Sequence, residues 1–194
     1  MILGQLLEGY PCIFQDDYKA AGRITEQLVQ TGNKFGYITV TDKDEAVGQQ
    51  RKAGVVDTLA RYGRELQPKC VKTGDFTLES GYEAARELFQ EQGDVDTLIC
   101  ATDTMAAGAM TWLKENGYRI PQDVQVAGIG DSPLGKILEP KLTTIHFYYK
   151  TSGMEAAEML TSLMESGNGG VCKEIKMGCE LVLRGSHRDP VKSK

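Results

Sequence analysis

The sequence predicts an α/β fold, a parallel sheet flanked by helices, on three observations. Short, β-branched apolar runs of strand length alternate with segments of helical periodicity. Glycine stops close most of the helical segments. The chain has 194 residues, 41% hydrophobic and 25% charged, which is enough to bury one sizeable core.

The elements follow in order. A helical pattern through Ala21, Ile24 and Leu28 ends at Gly32-Asn33 and leads into the strand Tyr37-Ile38-Thr39-Val40. The polar loop Thr41 to Glu45 precedes a helix with Ala53, Val56 and Leu59 on one face, stopped at Tyr62-Gly63. Lys69-Cys70-Val71-Lys72 is a short strand, Thr77 caps a helix carrying Tyr82, Ala85 and Leu88, and Thr97 to Ala101 is a buried strand. A fourth helix runs from Thr104 through Ala107, Met110 and Leu113 to Asn116-Gly117, and Val124 to Ile129 makes the next strand. Units of this kind give parallel strands with right-handed crossovers. Ligands then bind outside the carboxyl ends of the strands, which points to Thr41 to Val47, Thr73 to Phe76, Thr102-Asp103 and Gly130-Asp131. Residues 143–150 are aromatic-rich and extended. A helix with Ala156, Met159, Leu160 and Leu163 follows, ended by Gly167 to Gly170, and then come strands Glu174 to Met177 and Glu180 to Arg184. The polar tail Ser186 to Lys194 is expected to fray.

Composition excludes several functions. A net charge of -5 spread along the chain leaves no basic stripe for a phosphate backbone. The five cysteines (Cys12, Cys70, Cys100, Cys172, Cys179) lack CxxC spacing and are odd in number, so they are expected to be reduced and buried in a cytoplasmic protein. No export signal is recognisable, and no apolar run approaches the about 18 residues of a membrane helix.

Candidate site residues carry competing readings. Arg51 stands in a first helical turn, where a cation is disfavoured, and so serves either a ligand or simply solvent contact. Asp103 and Asp131 each directly follow an apolar strand, suiting either a cap or a ligand contact. Asp16-Asp17 reads as a helix cap and dipole partner in preference to a metal site. His146 and His187 have no glutamate or cysteine at zinc-ligand spacing, no GxSxG elbow is present, and Gly128-Ile129-Gly130 lacks the third glycine of a dinucleotide loop. No metal, cofactor or catalytic residue is expected. Strand ends offering an arginine, carboxylates and aromatic rings suit a hydroxyl-rich ligand such as a sugar.

Several stretches, in order and spacing, resemble the effector-binding core of the lac-repressor (LacI/GalR) family. They are Arg51-Lys52-Ala53-Gly54, Ser80-Gly81-Tyr82-Glu83-Ala84, Ala101-Thr102-Asp103-Thr104-Met105-Ala106-Ala107-Gly108-Ala109, Ile120 to Pro133, and Pro140-Lys141-Leu142-Thr143-Thr144-Ile145. The resemblance covers nearly all of residues 11–185. It implies a periplasmic-binding-protein-like, two-lobed fold of which this chain holds one nearly complete lobe and part of the other. Residues 1–15 would end the first lobe, 16–144 form the second, 145–172 cross back, and 173–194 return as final strands and tail of the second lobe. A DNA-binding headpiece and most of the first lobe would lie outside the chain. The resemblance further implies a homodimeric, cytoplasmic repressor, not an enzyme, whose sugar effector sits between lobes and which meets operator DNA only through its headpiece. A transport-type sugar-binding protein shares the fold and is the second reading. By the same resemblance the effector contacts are Arg51, Phe76, Thr102 (where asparagine is common), Asp103, Asp131, Phe147 and Tyr149. Gly130 departs from the family, standing where many members carry a sugar-binding aspartate. The segments Gly128 to Ser132 and His146 to Lys150 look like those of sucrose or trehalose regulators, implying a disaccharide such as sucrose, or its phosphate.

Overall fold

The computed structural model describes residues 1–166 and 172–190, in two compact units: unit 1 is Met1–Asp16 with Phe147–Glu180, and unit 2 is Asp17–His146 with Leu181–Lys194.

Unit 2 is the alternating α/β body. Its elements are α1 (Asp17–Leu28), β3 (Phe35–Thr39), α2 (Arg51–Arg61), β4 (Val71–Thr73), α3 (Leu78–Glu91), β5 (Thr97–Cys100), α4 (Asp103–Glu115), β6 (Gln125–Ala127) and the short α5 (Pro133–Ile137), numbered after the strands β1 (Ile2–Leu3) and β2 (Cys12–Gln15) of unit 1. The sheet order is β4-β3-β5-β6, all parallel, and an isolated parallel bridge from Ala127 to Thr143 continues it. β3 and β5 are buried on both faces, which explains why their sequences are continuously apolar instead of alternating. Ile24, Leu28, Tyr37, Ile38, Leu59, Leu88, Leu98, Ile99, Met105 and Met110 are fully buried around this sheet. Each such aliphatic side chain contributes about 1.5–3 kcal/mol by leaving water.

Glycines set how closely the helices approach. A Cβ at Gly108 of α4 would overlap the Leu78 carbonyl of α3, and one at Gly81 of α3 would overlap the Met105 backbone. In the same way Gly54 of α2 lies against the Tyr18 carbonyl of α1. At the far end of α3 and α4 the rings of Phe89, Trp112 and Tyr118 cluster with centroids 5.2–6.0 Å apart.

Unit 1 holds a parallel sheet β1-β2-β8, with β8 at Glu174–Met177, and the helix α6 (Tyr149–Ser166), whose Ala156 and Met159 pack on Ile13 of β2. The segments β7 (Thr144–Phe147) and β9 (Cys179–Val182) pair with each other, and the unit boundaries fall inside them.

Several expectations shift. Residues 173–180 were expected with the second lobe, but β8 pairs with β2 inside unit 1, so the chain re-enters unit 2 at Leu181. Pro68, pre-set for a tight turn, makes Pro68–Cys70 a 3-10 turn and starts the strand at Val71. Helix α2 is preceded by a π turn over Glu45–Gln50, with the Asp44 carboxylate accepting from the Val47 amide at 2.7 Å. Its buried residues are Arg51, Gly54, Val55, Thr58 and Leu59, while Ala53 and Val56 are exposed, because the close contact with α1 is made through Gly54. Leu160 of α6 is likewise exposed. Cys172 is exposed, whereas Cys12, Cys70, Cys100 and Cys179 are buried free thiols. The tail does not fray at Ser186: its hydroxyl donates to the Val126 carbonyl at 2.6 Å and accepts from the Thr143 amide at 2.8 Å, satisfying backbone groups beside the edge strand β6. The glycine stop at 167–170 and the last residues 191–194 lie outside the described residues.

Two glycine substitutions are expected to act with opposite signs in urea unfolding. Gly108→Ala meets backbone and lowers stability by about 1–3 kcal/mol. Gly153→Ala in α6 meets open space and raises the stability of its unit by about 0.5–1 kcal/mol through helix propensity.

Candidate functional site

In the order β4-β3-β5-β6 the chain leaves β3 toward one edge and returns as β5 on the other side, so a crevice opens beyond the carboxyl ends of these two strands. Arg51 lies there. Its Nη1 donates to the Ala101 carbonyl, just past β5, at 2.5 Å, and its Nε donates to Asp17 Oδ1 at 2.7 Å. Both side chains of this ion pair are less than a tenth exposed, at 8% and 7%. Arg51 is therefore not a solvated helix arginine. Asp17, at the start of α1, joins the candidate site through this bond, whereas the sequence marked it only as a cap; its partner lies 34 positions away, and no spacing rule reaches that far.

The next residues form a second cluster. Thr102 is the N-cap of α4, its hydroxyl accepting from the Met105 amide at 3.3 Å, so the cap falls to Thr102 and Asp103 is left to bridge outward. The Asp103 carboxylate accepts from the Thr144 hydroxyl of β7 at 2.6 Å and from the Ser132 amide at 2.6 Å. Burial pushes its pKa up against the opposing effect of these hydrogen bonds. Asp131 lies in the left-handed region (φ 51°), which aspartate tolerates better than most residues, and its amide donates to the same Thr144 hydroxyl at 3.2 Å. Its carboxylate accepts from Arg184 Nη2 at 2.5 Å and lies 2.9 Å from His146 Nδ1. Burial works to raise the pKa of Asp131, but the hydrogen bond and charge of Arg184, with His146 and Lys136, outweigh it and hold the carboxyl below its ordinary range. The Ser132 hydroxyl is buried with no hydrogen-bond partner among the described residues.

Phe76 stands in the loop after β4, at the same end of the sheet. It is 43% exposed with φ 73°, a conformation costly for a bulky side chain and typical of constrained functional loops. The adjoining Asp75 carboxylate holds this loop by accepting from the Thr77 hydroxyl at 2.6 Å. Gly130 has φ 137°, a backbone conformation that side-chain-bearing residues rarely adopt. Phe147 and Tyr149 belong to unit 1, their ring centroids 5.7 Å apart edge to face, with Phe147 buried and Tyr149 exposed. Unit 2 thus brings Arg51, Thr102, Asp103, Asp131 and Phe76 to one end of its sheet. A cavity of about 240 Å³ at the opposite end has walls that pair with themselves, Lys34 with Asp94 and Arg64 with Asn33.

The two aspartates impose opposite pH dependences. Below an unfolded carboxyl pKa of about 3.9, Asp131 binds its proton more weakly folded than unfolded, so its stabilisation is present above that pH and is lost as pH falls. Asp103 binds its proton more tightly when folded, which lowers stability as pH rises above the same value. Urea unfolding across pH is expected to show Asp131→Asn flattening the acid limb by up to about 1.4 kcal/mol per pH unit, and Asp103→Asn steepening the rise of stability above it by removing the opposing contribution of Asp103.

The model of the periplasmic binding protein-like domain family matches residues 25–187. The chain is 32% identical over 145 residues to the HTH-type transcriptional regulator CelR of Thermobifida fusca, covering 75% of this chain and 43% of the relative. It is 30% identical over 178 residues to the HTH-type transcriptional repressor CytR of Escherichia coli strain K12, covering 92% and 52%. Among solved structures, a transcriptional regulator CelR–cellobiose complex superposes with a TM-score of 0.89 at 28% identity, over 95% of this chain and 58% of that one. The chain spans about half the length of the curated relatives it matches. It belongs to the periplasmic binding protein-like domain family, in the LacI/GalR-type branch.

Proposed function

We propose that this chain is the effector-binding part of a sugar-responsive transcriptional repressor, and that its effector is a disaccharide such as sucrose, or its phosphate. The reading is carried by Arg51: a guanidinium held out of solvent at the carboxyl ends of β3 and β5, where this fold places ligands. Around it, Thr102 and Asp103 offer hydroxyl and carboxylate partners for sugar hydroxyls, and the Phe76 ring offers an apolar face for sugar C–H groups. Asp131 completes the set in unit 2, and Phe147 and Tyr149 are the aromatic candidates in unit 1. Both oxygens of Asp103 already accept hydrogen bonds, but a carboxylate has about four acceptor positions, so contact with a sugar hydroxyl remains available to it.

The similar CelR structure is described as a cellobiose complex, which favours an effector of disaccharide size. By the family resemblance Gly130 stands where many members carry a sugar-binding aspartate, which argues against direct transfer of a monosaccharide or galactoside specificity to this chain. The chain, with a net charge of -5 spread along its sequence, is not the part that would hold DNA. The full protein would act in the cytoplasm as a homodimer and reach operator DNA through a separate headpiece, with effector shifting the population between two arrangements.

A thermal-shift screen of the full-length protein tests this with sucrose, trehalose, their phosphates, cellobiose, glucose and galactose. At a concentration about 100-fold above Kd, the correct ligand stabilises the folded state by about 2.7 kcal/mol. Stabilisation by sucrose or its phosphate alone is the expected result, and no stabilisation by any saccharide overturns the proposal.

A further inference from the structure

The Asp17–Arg51 pair is more than an incidental contact. A buried ion pair is seldom more stabilising than well-packed apolar residues of similar volume, so stability alone gives little reason for one at this position. Its geometry is built by the backbone. Asp17 opens α1 and Arg51 opens α2, and the two helices touch through Gly54, three residues beyond Arg51, against the carbonyl of Tyr18, the residue next to Asp17. That close approach brings Nε within 2.7 Å of Asp17 Oδ1, while the Ala101 carbonyl takes Nη1 at 2.5 Å. Two acceptors on different edges of a planar guanidinium fix both its position and the direction its plane faces. A lysine, a flexible point charge, could not be oriented in this way.

We infer that Asp17 is a positioning residue: it sets the plane in which Arg51 meets the effector. The inference rests on the reading of Arg51 as an effector contact. It adds a determinant of affinity from a different helix. Charge is part of the role, because an ionised acceptor makes a shorter and stronger bond to Nε than an amide oxygen does.

The test uses the full protein that carries this chain, with Asp17→Asn, Asp17→Ala, Asp17→Glu and Arg51→Lys, measured two ways. The Arg51 Nε–H resonance in ¹H–¹⁵N spectra reports the pair directly: slow exchange is expected in the parent and is lost in Asp17→Ala. Calorimetric titration with sucrose, sucrose phosphate and cellobiose reports affinity. Asp17→Asn and Asp17→Ala are expected to weaken binding by about 10- to 100-fold. Asp17→Glu should recover part of that loss, and Asp17→Asn should cost little more on an Arg51→Lys background. A variant that melts at lower temperature with unchanged Kd would show a purely structural role and overturn the inference. Rapid exchange of the Arg51 Nε–H in the parent would overturn it as well. If the parent gives no heat with any of these saccharides, the proposed function fails, and this inference falls with it. Asp17→Asn, close in shape to the parent, keeps the comparison available if Asp17→Ala does not fold.

Discussion

The strand ends of unit 2 depend on one buried carboxylate. Asp103, the first residue of α4, accepts from the Ser132 amide and the Thr144 hydroxyl, and so ties β5 and α4 to the loop after β6 and to β7. The arrangement carries an electrostatic cost, visible in the upward push that burial gives its pKa. It is tolerated because each oxygen has a partner, whereas an unpaired buried charge would cost several kcal/mol. Space is cleared for it as well: a Cβ at Gly128 would run into the Asp103 side chain. The Gly128 to Ser132 segment is therefore shaped as a cradle for the carboxylate before any ligand is considered.

A second constraint operates between helices. Gly54, Gly81 and Gly108 let α1–α2 and α3–α4 approach to backbone contact, and in each pair one helix begins with a candidate site residue, Arg51 or Asp103. Close packing at these positions limits the freedom of the helix starts, which is how side chains on separate segments are held in fixed relation without a ligand.

Much of this was legible in the sequence. The alternation of apolar runs and helical periods located β3, β5 and β6, and the rule that ligands sit at carboxyl ends pointed to Thr102-Asp103 and Asp131, whereas Arg51 stood out only by its place in a first helical turn and by the family resemblance. What was hidden has identifiable causes. The Asp17–Arg51 and Asp131–Arg184 pairs join residues 34 and 53 positions apart, and side-chain pairing at such range leaves no periodic trace. The π turn before α2 and the short α5 are too brief for periodicity to register. The inward face of α2 was misjudged at Val56 because a helix that docks through glycine presents its smallest residue to its neighbour, and hydrophobicity patterns overlook glycine. Ser186 and His187 read as solvated tail, yet both are buried, because a serine hydroxyl can stand in for the strand that would otherwise satisfy the edge.

Gly130 carries a consequence for anyone seeking to exchange ligand preference among these domains. Its backbone angle, φ 137°, lies where residues with side chains are strained whatever the surrounding space. Placing an aspartate there would therefore do more than add a carboxylate: it would strain the backbone between β6 and Asp131, whose own φ is positive. On the proposed reading of this segment as part of the effector site, a change of ligand preference at Gly130 therefore calls for exchange of the whole loop in place of a point change.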